Sequence, residues 1–162
     1  MKTTKVVLKS LVVLGAALTL VACGSSSSSS TTSSSSSASE STSSTWKDGT
    51  YKAETGYDER GWKFVHEITI EGGKITASTA DYEDKDGNLK SENAEYNATM
   101  KEKSGVSSAE ATDKLDEELL AAQSADVEVV SGATSTSENF IKSTEALLKA
   151  AEEGNTDTIT LD

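Results

Sequence analysis

In Phe64-Val65-His66-Glu67-Ile68-Thr69-Ile70, the side chains of Phe64, His66, Ile68 and Ile70 fall on one side of a period of two, with Val65, Glu67 and Thr69 on the other. That alternation predicts a half-buried β-strand. Glu71 ends it, and Gly72-Gly73 supplies the permissive backbone of a tight hairpin turn. Residues 74–82 then return as a partner strand, with Ile75 and Ala77 in phase. Upstream, Thr50-Tyr51-Lys52-Ala53-Glu54 reads as a further strand. Downstream the period changes. Residues 91–103 are expected to form a short helix. Ser107 with Glu110 makes a capping box ahead of Ala111, Leu115 and Leu119, spaced one turn apart. Residues 126–130 read as a short extended piece. Ser135 with Glu138 reads as a second capping box, opening a last helix whose face carries Phe140, Ile141, Thr144, Leu147, Leu148 and Ala151. Residues 155–162 close the chain with an edge strand through Ile159 and Leu161. Strands grouped early and helices grouped late predict an α+β fold, a small antiparallel sheet with helices packed on one face. Asp84-Lys85-Asp86-Gly87-Asn88 resembles a calcium loop only superficially. Placing Gly87 at its sixth position puts Tyr82 first and Asn93 twelfth, where carboxylates are needed, so a turn is expected.

Ahead of this folded part the composition changes sharply. Residues 25–45 hold 15 Ser and 4 Thr, with only Ala38 and Glu40 besides. Such a tract lacks the apolar surface to offset its ordering entropy and is expected to act as a flexible linker. Residues 1–22 begin with Lys2, Lys5 and Lys9 and continue in an apolar run from Leu11 to Ala22. That run is too short to span a bilayer and reads as a secretory signal. The single cysteine follows at once, in Leu20-Val21-Ala22-Cys23, which resembles the lipobox of bacterial lipoproteins. The resemblance implies cleavage before Cys23 and lipidation of its thiol, which would anchor the protein at the outer face of the cell membrane. Three parts are therefore expected: a lipoprotein signal peptide over 1–22, the lipidated Cys23 with its linker over 23–45, and one domain over 46–162.

The net charge of −12 sharpens this division. Lys2, Lys5 and Lys9 outweigh Glu40 by two, so −14 falls on the chain from Trp46 onward. A domain so acidic repels nucleic acid and anionic headgroups, which argues against both as partners. A single cysteine excludes a disulfide framework and any multi-cysteine metal site.

The chemistry is concentrated in Glu128-Val129-Val130-Ser131-Gly132-Ala133-Thr134-Ser135-Thr136-Ser137. Read by itself it is a strand, a tight turn of small residues and the start of a capped helix. Gly132 admits unusual backbone angles and close approach of another group. Thr134 stands just before the helix, where free N–H groups and the helix dipole favour a phosphate. A phosphate-bearing ligand and a bare N-capped turn are both compatible with these ten residues.

Ser131-Gly132-Ala133-Thr134, with an acidic residue three places before the serine, resembles the flavinylation motif of FMN-binding domains. These domains occur in sodium-pumping quinone reductases, Rnf-type complexes and Gram-positive surface lipoproteins of extracellular electron transfer. Asp48-Gly49-Thr50-Tyr51, Gly61-Trp62, Gly73-Lys74-Ile75 and residues 92–100 extend the similarity across 48–154. The resemblance implies that an FAD:protein FMN transferase esterifies FMN through its phosphate to Thr134. Ser131, Gly132, Ala133 and Glu128 then frame the attachment point, with Ser131, Ser135 and Thr136 as rival hydroxyls. Glu128 departs from the usual Asp by one methylene. Trp62 is read as an anchor at the base of a turn or as a ring stacking on the flavin. Tyr96 and Met100 are read as core or as lining of the same pocket, and His66 as a half-buried strand residue. The implied role is an electron carrier rather than an enzyme with its own substrate, taking electrons from a membrane quinol-linked donor to external acceptors. Non-covalent ligand binding and a cofactor-free surface interaction protein are the alternatives.

Overall fold

A computed structural model describes residues 46–162. The signal segment, Cys23 and the Ser/Thr-rich linker lie outside the described residues. β2 (Trp62–Glu71) and β3 (Lys74–Asp84) pair antiparallel as read, with Glu71 opposite Lys74 across the turn, but a register shift at Thr69/Ile70 breaks the expected phase of β3, so that Ile75 is buried and Ala77 exposed. Gly72 and Gly73 adopt φ of 60° and 72°, left-handed values that a side chain at either position would resist. β1 (Gly49–Thr55) pairs antiparallel with the other edge of β2. The closing strand β4 (Ile159–Leu161) lies beside β1, but parallel to it, so the four-stranded sheet of order β3-β2-β1-β4 is mixed rather than wholly antiparallel. The cause is topological. A long helix carries the chain back before β4 begins, and that crossover lets it run in the direction of β1.

Three helices accompany the sheet: α1 (Ala94–Ser104), α2 (Ser108–Ala122) and α3 (Thr134–Glu153). The helix expected over 91–103 is interrupted. Residues Lys90–Glu92 form one 3-10 turn, and Asn93 stops it with an extended backbone and caps α1 by accepting from the Tyr96 N–H. The Ser107–Glu110 capping box forms on α2 as expected. α2 packs on β3 and α3 on β1 and β2, burying Leu115, Leu119, Phe140 and Leu147 against Tyr51, Phe64, Ile68 and Ile70. α1 buries no residue fully. Residues 126–130 pair with no strand. They are braced instead by bonds from the Glu128 N–H to Glu118 (2.9 Å) and from the Val130 N–H to Ser137 (2.9 Å). No helix among the described residues is long and apolar enough to cross a membrane.

The free edge of β3 is closed by side chains. Gln123, at the left-handed end of α2 with φ of 55°, accepts from the Ile75 N–H (2.8 Å) and donates to the Ile75 carbonyl (2.9 Å), as a neighbouring strand would. At the opposite margin, Lys47 donates its N–H to the Ala151 carbonyl (3.0 Å) and its Nζ to that of Glu153 (2.9 Å), tying the start of the domain to the C-terminal end of α3.

His66 is 1% exposed, not half-buried. Its ring stacks on Phe140, with centroids 4.4 Å apart. The Ser78 hydroxyl donates to Asp116, so His66 Nε2–H donates to Ser78 Oγ (3.0 Å), while Nδ1 lies 2.7 Å from Ser143 Oγ, whose hydroxyl is shared with the Phe140 carbonyl (2.8 Å). This chain of four side chains joins both strands of the hairpin to α2 and α3. Burial pushes the imidazole down to about 3 from its ordinary 6.5. Burial also pushes the Asp116 carboxyl up to about 6 from 3.8, against the downward pull of Ser78 and the Ala80 N–H.

These shifts act in opposite directions on stability. Between about pH 4 and 6 the folded protein holds a proton on Asp116 that the unfolded chain lacks. Over the same range the unfolded chain holds one on His66 that the folded protein lacks. The two contributions are expected to cancel there, with stability falling only as pH drops below about 4. In Asp116→Asn the histidine acts alone, and the urea midpoint is expected to fall steadily as pH drops from 6.5, instead of staying level.

Candidate functional site

The turn before α3 is shaped by one close approach. Gly132 has φ of 84°, and a Cβ placed on it would lie 2.3 Å from the carbonyl oxygen of Ser104, the last residue of α1. Only glycine accepts both conditions. The contact draws the end of α1 against the start of α3. Ala133 is 5% exposed and follows as the N-cap of α3.

The second capping box does not form. α3 begins at Thr134, one residue before the expected Ser135 cap, and no side chain caps it. Ser137, at the fourth helical position, instead turns its hydroxyl inward, donating to the Ala133 carbonyl (3.1 Å) and accepting from the Val130 N–H. The first turn of α3 also carries no acidic residue, whereas α1 and α2 are capped and carry Glu95 and Glu110 in theirs. The longest helix of the domain thus presents its first N–H groups and the positive end of its dipole without an internal acceptor.

That helix end opens on a cleft of about 550 Å³, a volume usual for small-molecule sites. Gly132, Ala133, Thr134, Ser135 and Thr136 contribute from the turn and the first helical residues. Tyr96, Met100 and Ser104 contribute from α1. Tyr82 of β3, Lys90, and Asp58 with Arg60 complete the lining. The Asp58 carboxylate accepts from the N–H groups of Arg60 (2.9 Å) and Trp62 (2.8 Å), which fixes the loop that carries Arg60. α1 is held in place by Asn97, whose amide group donates to the carbonyls of Lys90, Ser91 and Asn93 while its oxygen accepts from the Ala109 N–H.

Of the candidate residues, the cleft brings together Gly132, Ala133, Thr134, Ser135, Thr136, Tyr96 and Met100. Thr134 and Ser135 are exposed and Thr136 is buried. Ser131 is exposed beside the cleft and outside its lining. Glu128 is exposed on the braced segment leading to the turn, also outside the lining. Trp62 lines a neighbouring hollow with Asp84, Leu89 and Asn93, and its ring meets the cleft through Lys90, whose Nζ lies 5.4 Å from the ring centre. Tyr82, Lys90, Asp58 and Arg60 carried no signal in the sequence. They sit in a strand end, a one-turn helix and a loop, far along the chain from Thr134.

The family model of the FMN-binding domain matches residues 61–149. The 15 kDa lipoprotein of Treponema pallidum (strain Nichols) is 38% identical over 114 residues, covering 69% of this chain and 81% of the relative. The crystal structure of CPE2226 from Clostridium perfringens superposes with a TM-score of 0.69 at 37% identity, covering 72% of this chain and 99% of that one.

Gly132→Ala drives a methyl group into the Ser104 carbonyl at a left-handed backbone. It is expected to lower stability by about 2 kcal/mol or more, read as a fall in the urea midpoint. Ser131→Ala, next in the chain but exposed, is expected to leave the midpoint within about 0.5 kcal/mol of the parent.

Proposed function

Because this chain belongs to the FMN-binding domain family, we propose that it carries FMN esterified through its phosphate to the hydroxyl of Thr134. The observation that carries this reading is the exposed Thr134 at the uncapped start of α3, opening on a cleft of about 550 Å³. The surroundings fit the group. A phosphate attached there meets the free N–H groups of the first helical turn. The flat ring system has Tyr82, Tyr96 and Met100 for neighbours in the cleft. Among the rival hydroxyls, Thr136 is buried and Ser131 lies outside the lining, which favours Thr134.

A threonine hydroxyl is scarcely ionised at neutral pH and needs an external base before it attacks phosphorus. An FAD:protein FMN transferase supplies that activation. The Thr134 oxygen bonds to the FMN phosphorus of FAD, the pyrophosphate bond breaks, AMP departs, and the hydroxyl proton is lost to the base. Glu128, exposed on the approach to the turn, serves the transferase rather than the flavin. Bound FMN supplies the redox chemistry, and the domain positions it and controls its surroundings. The similar lipoprotein of Treponema pallidum supports anchoring through Cys23. With that anchor the domain works at the outer face of the membrane, relaying electrons from a quinol-linked donor to external acceptors. A covalent ester suits that setting, since a dissociated flavin would be lost.

Co-expression with a flavin transferase followed by denaturation tests the reading. The denatured band is expected to fluoresce, and a peptide containing Thr134 to gain the mass of FMN less water. Thr134→Ala abolishes both, whereas Ser135→Ala and Thr136→Ala retain them. Colour that washes out on unfolding would establish non-covalent binding instead.

A further inference from the structure

Lys90 is 8% exposed, yet it lines the cleft. Its ammonium lies 4.2 Å from the ring centre of Tyr82, 4.8 Å from that of Tyr96 and 5.4 Å from that of Trp62. No carboxylate among the described residues comes within ion-pair distance of it. Asp81, the nearby acid on β3, has one oxygen committed to the N–H groups of Tyr82 (2.6 Å) and Ser91 (3.2 Å). Asp58 and Asp81 act on the ammonium only from a distance, and Arg60 opposes them with a like charge. Burial accordingly pushes Lys90 below its ordinary range. In a domain with so large an acidic excess, one lysine has been taken out of water, enclosed by three aromatic faces and left without a counter-ion. Aromatic quadrupoles compensate part of the lost hydration but do not neutralise the charge.

We propose that Lys90 sets the reduction potential of the flavin held in the cleft, its caged ammonium being the counter-charge for the reduced ring. The inference rests on the reading that FMN occupies this cleft. Reduction delivers two electrons and, at neutral pH, one proton to a flavin, and so adds one negative charge to the ring. A fixed positive charge in a partly dry cleft favours the side of the couple that carries this negative charge, and so raises the potential. The aromatic cage strengthens the effect by keeping water and salt from the ammonium. Lys90 acts here by charge and position, and exchanges no proton or electron with the ring.

The test is the midpoint potential of the flavinylated protein, titrated with dithionite and followed by absorbance. In Lys90→Met the ratio of reduced to oxidised flavin at a fixed potential is expected to fall about tenfold, a shift of about 30 mV to lower potential for two electrons. Lys90→Arg, which keeps the charge, is expected to restore most of it. Tyr96→Leu and Trp62→Leu keep the lysine but admit water, and are expected to move the potential the same way by less. They serve also where Lys90→Met fails to fold or load. A wild-type potential in loaded Lys90→Met, or in both cage variants, overturns the inference. Lower loading with an unchanged potential in the loaded fraction does the same, because it would place Lys90 on the phosphate. Wild-type protein that stays without flavin beside an active transferase defeats the occupancy reading itself, and is recognised by the dark denatured band.

Discussion

A carbonyl oxygen with no room beside it for a methyl group sets the form of this domain. The Ser104 carbonyl ends α1 and presses on the backbone at Gly132, and that contact brings two helix ends together that are otherwise unconnected. α1 has no fully buried residue, and of its apolar side chains Met100 packs partly buried against the core. Its place depends on Asn97, on the Lys101–Glu110 ion pair and on this backbone contact. Remove the approach at Gly132 and the tyrosine and methionine wall of the cleft loses its seat against the start of α3. The run of small residues before Thr134 therefore answers first to the fold.

The parts of the structure legible in the sequence are those fixed by local periodicity. The alternation from Phe64 to Ile70, the paired glycines and the Ser107–Glu110 box each depend on residues within one strand, turn or helical turn, and each appears where expected. Long-range choices were not legible. Ile159 and Leu161 have the pattern of an edge strand in either direction, and only the return along α3 makes β4 parallel. Ser135 and Glu138 have the spacing of a capping box. Ser137 instead takes the polar bonds of the turn, and the helix starts two residues early. At the site, the small-residue turn before α3 was visible as a motif, but Lys90 was not. Its meaning lies in Trp62, Tyr82 and Tyr96, which reach it from different elements.

Two buried polar arrangements divide the interior between them. His66, Ser78, Asp116 and Ser143 form a closed chain in which each donor has an acceptor, and its value is to fix the sheet against two helices. Lys90 is the opposite case: a charge covered by rings and facing a cleft, with its electrostatic demand unmet inside the protein. The contrast separates a polar group kept for architecture from one kept for a ligand. The uncapped start of α3 and the caged lysine place positive charge at the cleft of a domain whose net charge is negative.

The bonds from Lys47 to the Ala151 and Glu153 carbonyls give the domain a polarity that its sheet order does not suggest. They bring the chain in at the C-terminal end of α3, while Thr134 stands at the other end of the same 20-residue helix, about 30 Å away. The first described residues and the cleft therefore stand at opposite ends of α3. α3 separates the cleft from the Lys47 contacts by the length of one helix.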